Sequence, residues 1–243
     1  MIISLCDDPD AVADLAAQRV VDLLHDRPRA VLGLPTGRTP VLMYDRLVEA
    51  HAADGLDFSQ VTTFNLDEFV GIGESHPGSY RAYMRRYLFD RVNLPAGRGL
   101  VLDGLAPDPE AECLRFETLI DAAGGLDLLI LGLGANGHVG FNEPGDSLQA
   151  ETHVMTLLTP SREANAVFFD DDVSQVPVRA MTMGMGTILK ARRLLLLATG
   201  AGKAATITAA VQGLVTTHLP ASFLQLHAGV EVICDSEAAA GLR

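Results

Sequence analysis

Val12, Leu15, Ala16, Val20, Leu23 and Leu24 recur three and four residues apart, the spacing that gathers side chains on one helix face. Asp8 before Pro9 supplies an N-cap and a first helical residue, so the pattern predicts a helix over roughly 9–26. AVLGL (30–34) is a short continuous apolar run stopped by LPTGRTP, after which VLMYDRLVEA resumes helical spacing: strand, glycine loop, helix. VTTFNLDEF (61–69) is β-branched and aromatic up to a paired Asp67–Glu68, which reads as the end of a strand. HPGSYRAYMRRYLFD (76–90) predicts a short helix entered through Pro77, with Tyr80, Met84, Tyr87 and Leu88 on one face.

The second half repeats the alternation. PEAECLRFETLI (109–120) is a helix and LDLLILGLG (126–134) an apolar strand of the kind buried on both faces. The methionines of MTMGMG (181–186) alternate as a buried strand would. The strand RLLLLATG (193–200), the helix GKAATITAAVQGL (202–214) and the strand EVICD (231–235) close the chain. Strands alternating with helices imply a mostly parallel, Rossmann-like sheet covered on both faces. With no repeat, linker or composition break, residues 1–243 read as a single three-layer α/β/α domain.

Charge narrows the partners. A formal net charge of -13 with only 18 Lys plus Arg argues against nucleic acid and anionic membranes, which require a basic footprint. A small anion remains compatible, because a few local cations and backbone amides outvote the global field. Cys6, Cys113 and Cys234 are far apart and odd in number, so neither a disulfide framework nor a zinc cage is indicated. The N-terminus lacks a signal-peptide pattern and no apolar run approaches the ~18 residues of a membrane span, so a cytoplasmic protein is expected. Asp170, Asp171 and Asp172 read as a solvated turn, and with no H-E-x-x-H or paired-Cys spacing no metal is expected.

Ligands of open parallel sheets bind beyond the carboxyl ends of the strands, and three such ends are unusual here. In LPTGRTP, Thr36, Gly37, Arg38 and Thr39 offer hydroxyls, an approachable backbone and a cation before a helix N-terminus, which suits a monophosphate better than a triphosphate. An ordinary glycine connection is the alternative. In NLDEF, a desolvated Asp67 could serve as a general base, although taken alone the acidic pair reads better as a cap or a solvated pair. LGLGANGHVGFNEPG (131–145) opens like a dinucleotide fingerprint, yet Pro144 and the polar GDSLQAETH forbid the helix that fingerprint needs. Its glycines instead let the chain pass close to a ligand while Asn136, His138 and Glu143 project around it, the glutamate tuning the histidine. Lys203, at the start of a late helix, could reach a phosphate.

LGLPTGRTP, TFNLDEFVGI, HPGSY, LGLGANGHVGFNEPG, MTMGMGTI and TGAGKA, in this order and across nearly the whole chain, resemble the glucosamine-6-phosphate deaminase family. The resemblance implies a cofactor-free conversion of glucosamine 6-phosphate to fructose 6-phosphate and ammonia, in amino-sugar catabolism. It assigns ring opening to His138 with Glu143 and Asn136, proton transfer between carbons to Asp67, and phosphate binding to Thr36, Gly37, Arg38, Thr39 and Lys203. HPGSY resembles the family's mobile lid.

The chain also departs from the family. Many members carry Asp at position 136, and Val167 stands where the family usually has a phosphate-binding arginine, while Arg38 occupies a position more often small. These departures suggest that the cation has moved across the phosphate pocket. The allosterically activated hexameric branch continues beyond the point where this chain stops, which argues against activation by N-acetylglucosamine 6-phosphate; a monomer or small homo-oligomer is expected. The rival readings are galactosamine 6-phosphate as substrate, 6-phosphogluconolactone hydrolysis on the same fold, and a sugar-phosphate-sensing domain. FNEP disfavours the lactonase, and the absence of a basic helix-turn-helix disfavours a DNA-bound sensor.

Overall fold

The computed structural model describes residues 1–242; Arg243, the last residue of the expected 1–243 unit, lies outside them. In chain order the first half runs β1 (Ile2–Cys6), α1 (Pro9–Asp26), β2 (Val31–Leu34), α2 (Pro40–Asp54), β3 (Thr62–Asn65), β4 (Asp67–Phe69), α3 (Tyr80–Tyr87) and β5 (Gly99–Leu100). The second half runs α4 (Pro109–Ala122), β6 (Leu128–Gly132), β7 (His153–Thr156), α5 (Thr159–Asn165), β8 (Arg179–Thr182), α6 (Met185–Leu189), β9 (Leu194–Ala198), α7 (Ala204–Gln212) and β10 (Val230–Asp235). Asp8 caps α1, its carboxylate accepting from the Ala11 N–H at 2.8 Å, and Pro9 follows as expected.

Seven strands form one wholly parallel sheet in the order β1-β10-β9-β6-β2-β3-β5. Successive side chains of its central strands point to opposite faces and so enter two different cores. Leu129, Leu131, Leu194 and Leu196 pack with Phe116 and Ile120 of α4, Ile188 of α6 and Ile207 of α7. Leu128, Ile130, Leu195 and Leu197 pack with Val20 of α1, Leu47 of α2 and Met84 of α3. This is the three-layer α/β/α arrangement. From β2 the chain builds outward to β3 and β5, whereas β6 is laid on the other side of β2. The order therefore reverses between β2 and β6, and the crevice beyond their carboxyl ends is where an open sheet holds its ligand.

Three expectations are corrected. The run through Asp67–Glu68 is not one strand: it leaves the parallel sheet at Leu66, and Asp67–Phe69 opens β4, which pairs antiparallel with β8 in a separate three-stranded sheet completed by β7. MTMGMG is strand only through Thr182, and Met185 already begins α6; all three methionines are buried, so core packing without strand periodicity produces the same alternation. The α3 helix is entered through Ser79 rather than Pro77, with the Ser79 hydroxyl accepting from the Ala82 N–H at 3.0 Å.

Candidate active site

One cleft of about 550 Å³ opens at the topological switch point. Among its lining residues are Thr36, Gly37, Arg38 and Thr39 after β2, Asp67 after β3, Asn136 and His138 after β6, and Lys203 after β9. Eight of the nine residues singled out from the sequence thus line one cavity. Glu143 does not: it lies beneath the histidine, 1% exposed.

Asp67 is 6% exposed and begins β4 opposite Thr182. Burial, together with the charge of neighbouring Glu68, pushes its carboxyl up to about 8. Glu68 turns the other way. Its carboxylate accepts the backbone N–H groups of Phe69 (2.9 Å), Tyr80 (3.0 Å) and Arg81 (3.0 Å), and so ties the start of α3 to β4. The acidic pair therefore splits into one group facing the cleft and one anchoring a helix N-terminus, where negative charge is favoured.

The glycine loop closes around Asp67 and His138. Gly140 has φ +57°, and a Cβ there would meet Thr182 Oγ1 at 2.8 Å and approach Asp67 Oδ2 at 3.6 Å. At Gly134 a Cβ would collide with the His138 imidazole, so a hydrogen is all the ring tolerates above that residue. His138 Nδ1 lies 3.6 Å from Glu143 Oε2 and 3.3 Å from Ser161 Oγ. The Asn136 amide nitrogen donates to Glu143 Oε2 at 2.9 Å, while its oxygen accepts the His138 backbone N–H at 3.2 Å. An aspartate at 136 could make the first of these contacts only with a proton on one of the two carboxyls, so the amide keeps Glu143 as the single anion of the cluster. Burial raises the Glu143 carboxyl, but hydrogen bonds from His138, Ser161 and Asn136 outweigh it and hold the group below its ordinary range. An anionic Glu143 against Nδ1 favours the proton on that nitrogen and frees Nε2 for a ligand.

The cleft also carries two cations. Arg38 is exposed and Lys203 half-buried, and neither forms an ion pair with a carboxylate among the described residues. Burial pulls the Lys203 ammonium below its ordinary value, a penalty that an arriving anion would relieve. The loop before Lys203 is fixed by Asp235, which accepts the Gly200 N–H at 2.9 Å. Thr39 occupies the N-cap of α2, so the positive end of a 15-residue helix faces the same space. Val167, 39% exposed, does not line the cleft.

Sequence reasoning missed Tyr80, Ser161 and Asn165, which also line the cleft. Each is an isolated polar residue on or beside a helix, and only its tertiary contacts mark it. The aromatic cluster Phe69, Tyr80, Phe141 and Phe169 packs under this wall.

The family described as glucosamine-6-phosphate isomerases/6-phosphogluconolactonase matches residues 8–233. A glucosamine-6-phosphate deaminase of Hahella chejuensis (strain KCTC 2396) is 46% identical over 242 residues, covering 100% of this chain and 92% of that protein. The solved structure of a monomeric glucosamine-6-phosphate deaminase superposes with a TM-score of 0.96 at 41% identity, covering 99% of this chain and 100% of the other. A 6-phosphogluconolactonase from Trypanosoma brucei superposes with a TM-score of 0.78 at 21% identity, covering 100% and 98%, a likeness of fold alone. This chain belongs to the glucosamine-6-phosphate isomerase/6-phosphogluconolactonase family.

Proposed function

We propose that the cleft converts glucosamine 6-phosphate and water to fructose 6-phosphate and ammonia. The observation that carries the reading is the placement of a buried, proton-holding carboxyl (Asp67) and a glutamate-backed histidine (His138) in one cleft with the unpaired cations Arg38 and Lys203. The phosphate sits against Thr36–Thr39 and Lys203 and holds the sugar by its non-reacting end. His138 Nε2 takes the proton of the anomeric hydroxyl and returns one to the ring oxygen, which breaks the bond from C1 to the ring oxygen and leaves the open aldehyde. Ionised Asp67 takes the proton from C2 and returns it to C1 while one ammonium proton passes to O1, converting the aldose amine into a ketose iminium. Water adds to C2, the C–N bond breaks and ammonia leaves, so atoms balance without a redox partner. Every group in this scheme is supplied by one chain.

A base pushed up to about 8 dictates the pH dependence. The free enzyme needs Asp67 ionised, so kcat/KM rises with pH through neutrality, reaches half its maximum near pH 8 and levels off roughly one pH unit above that. A plateau already reached near pH ~5, where an ordinary carboxylate is ionised, contradicts this role.

The phosphate reading predicts a KM effect. Each charge-assisted contact is worth about 1.5–3 kcal/mol, so Arg38→Ala and Lys203→Ala each raise KM roughly 10- to 100-fold with a smaller change in kcat. An unchanged KM in Arg38→Ala removes Arg38 from the phosphate site and leaves the cation missing at Val167 without a replacement. The reading as a whole is tested by supplying glucosamine 6-phosphate, galactosamine 6-phosphate and 6-phosphogluconolactone separately to the purified protein. Ammonia from the first alone supports it; consumption of the lactone without ammonia from either amino sugar overturns it.

A further inference from the structure

Helix α5 forms one rim of the cleft and carries Ser161, which lines it and is 1% exposed. Its hydroxyl lies 3.3 Å from His138 Nδ1. The same residue's carbonyl accepts the Asn165 amide at 2.9 Å. The Asn165 oxygen in turn accepts the Tyr80 hydroxyl at 2.8 Å, and on the same helix α3 the Tyr83 hydroxyl donates to the Gly37 carbonyl at 2.6 Å. Tyr80 is held at both ends: its ring stacks on Phe141 with centroids 6.0 Å apart, and its N–H is bound by Glu68. α5 is held independently by Arg162, whose guanidinium donates to the carbonyls of Val173 (2.7 Å) and Val176 (2.9 Å).

We infer that Ser161 is a positioning residue for His138, and that α3, which holds the Gly37 carbonyl through Tyr83 and Asn165 through Tyr80, couples the loop at 36–39 to it, so that an anion bound there sets the imidazole for ring opening. The step through Asn165 uses the Ser161 carbonyl, so this link orients α5 and conducts no protons. A phosphate bound by the loop at 36–39 shifts the Gly37 carbonyl that Tyr83 holds. The change passes to the turn of α5 that presents Ser161 to Nδ1. Glu143 alone stands off at 3.6 Å, so the serine is the closer partner of that nitrogen. The inference rests on the reading of 36–39 as a phosphate loop and not on the identity of the sugar.

The direct probe is inorganic phosphate, read by the nitrogen NMR shift of His138 Nδ1 at fixed pH. Charged groups that share the cleft with the ring are Asp67, Glu163, Arg38 and Lys203, with Glu143 beneath it; a purely electrostatic effect of phosphate acts through them and survives loss of these links. In the wild type, saturating phosphate moves the resonance; in Tyr80→Phe and Asn165→Ala, with phosphate binding verified by phosphorus NMR, most of that movement is lost. In turnover, Ser161→Ala lowers kcat about tenfold with KM little changed, the effect of one hydrogen bond lost at a reacting group, and Ser161→Thr restores most of it. An undiminished phosphate shift in Tyr80→Phe, no shift in the wild type, or a wild-type kcat in Ser161→Ala overturns the proposal. If the wild type releases no ammonia, the functional reading fails by itself, and the phosphate-shift comparison still decides the coupling.

Discussion

Asp67→Asn is expected to abolish turnover and at the same time to stabilise the fold. The loss follows from the proton that must move: the asparagine amide cannot take it from C2, and general base catalysis of this kind is worth roughly 10²- to 10⁴-fold in kcat. The gain follows from burial. Folding raises this carboxyl from 3.8 to about 8, so between those values the folded chain holds a proton that the unfolded chain has released. The group's contribution is most favourable below pH 4 and is lost progressively as pH rises toward 8. Asparagine carries no such penalty. The melting-temperature difference between Asp67→Asn and the wild type should therefore be small at pH 4 and widen, in favour of the variant, up to pH 8. A variant that is inactive but no more stable at pH 8 than at pH 4 would show that Asp67 is not held neutral by its surroundings.

The second large effect is at His138. His138→Gln keeps a polar side chain but cannot carry a proton between the anomeric and ring oxygens, so kcat should fall roughly 10²-fold or more. The residual rate has a distinctive form. Sugar phosphates open slowly in water without help, and the variant lives on that supply through an intact Asp67. Its velocity should cease to rise in proportion to enzyme concentration once opening in solution becomes limiting, whereas the wild type remains proportional. Proportional velocities at an unchanged kcat would remove His138 from ring opening. Glu143 and Asn136 fall under the same test through the histidine, since one holds Nδ1 and the other holds Glu143 in place.

Much of this was legible in the sequence because function here sits next to strand ends. Parallel strands buried on both faces leave continuous apolar runs such as LLILG, and the residues that follow each run are the ones the topology brings together. Thr36–Thr39, Asn136, His138 and Lys203 were found that way, and the cleft gathers them. The change of sheet at Leu66 left no mark, because Asn65 and Asp67 on either side are both buried and the periodicity does not break. β1 was missed because it is an edge strand whose Ile2 and Leu5 are 66% and 67% exposed, a pattern that resembles loop more than core. Glu143 looked like a cleft residue because it shares a loop with His138, but Phe141 and Asn142, 3% and 1% exposed, carry the chain inward before it. Ser161 and Asn165 belong to no motif at all; their meaning is a distance to His138 and to Tyr80.

The comparison with lactone hydrolysis turns on one proton. A lactonase needs an activated water and a phosphate site but no base for a carbon-bound proton, whereas the proposed reaction fails without one. Asp67, buried against the glycine loop and pushed up to about 8, is the group assigned to that proton. The most direct measurement is therefore the stoichiometry of product release from glucosamine 6-phosphate by the purified protein, with Asp67→Asn alongside. Equal amounts of ammonia and fructose 6-phosphate, both lost in the variant, are the predicted result. Product formation that survives in Asp67→Asn, or consumption of the substrate without ammonia, would contradict the proposed chemistry at its centre.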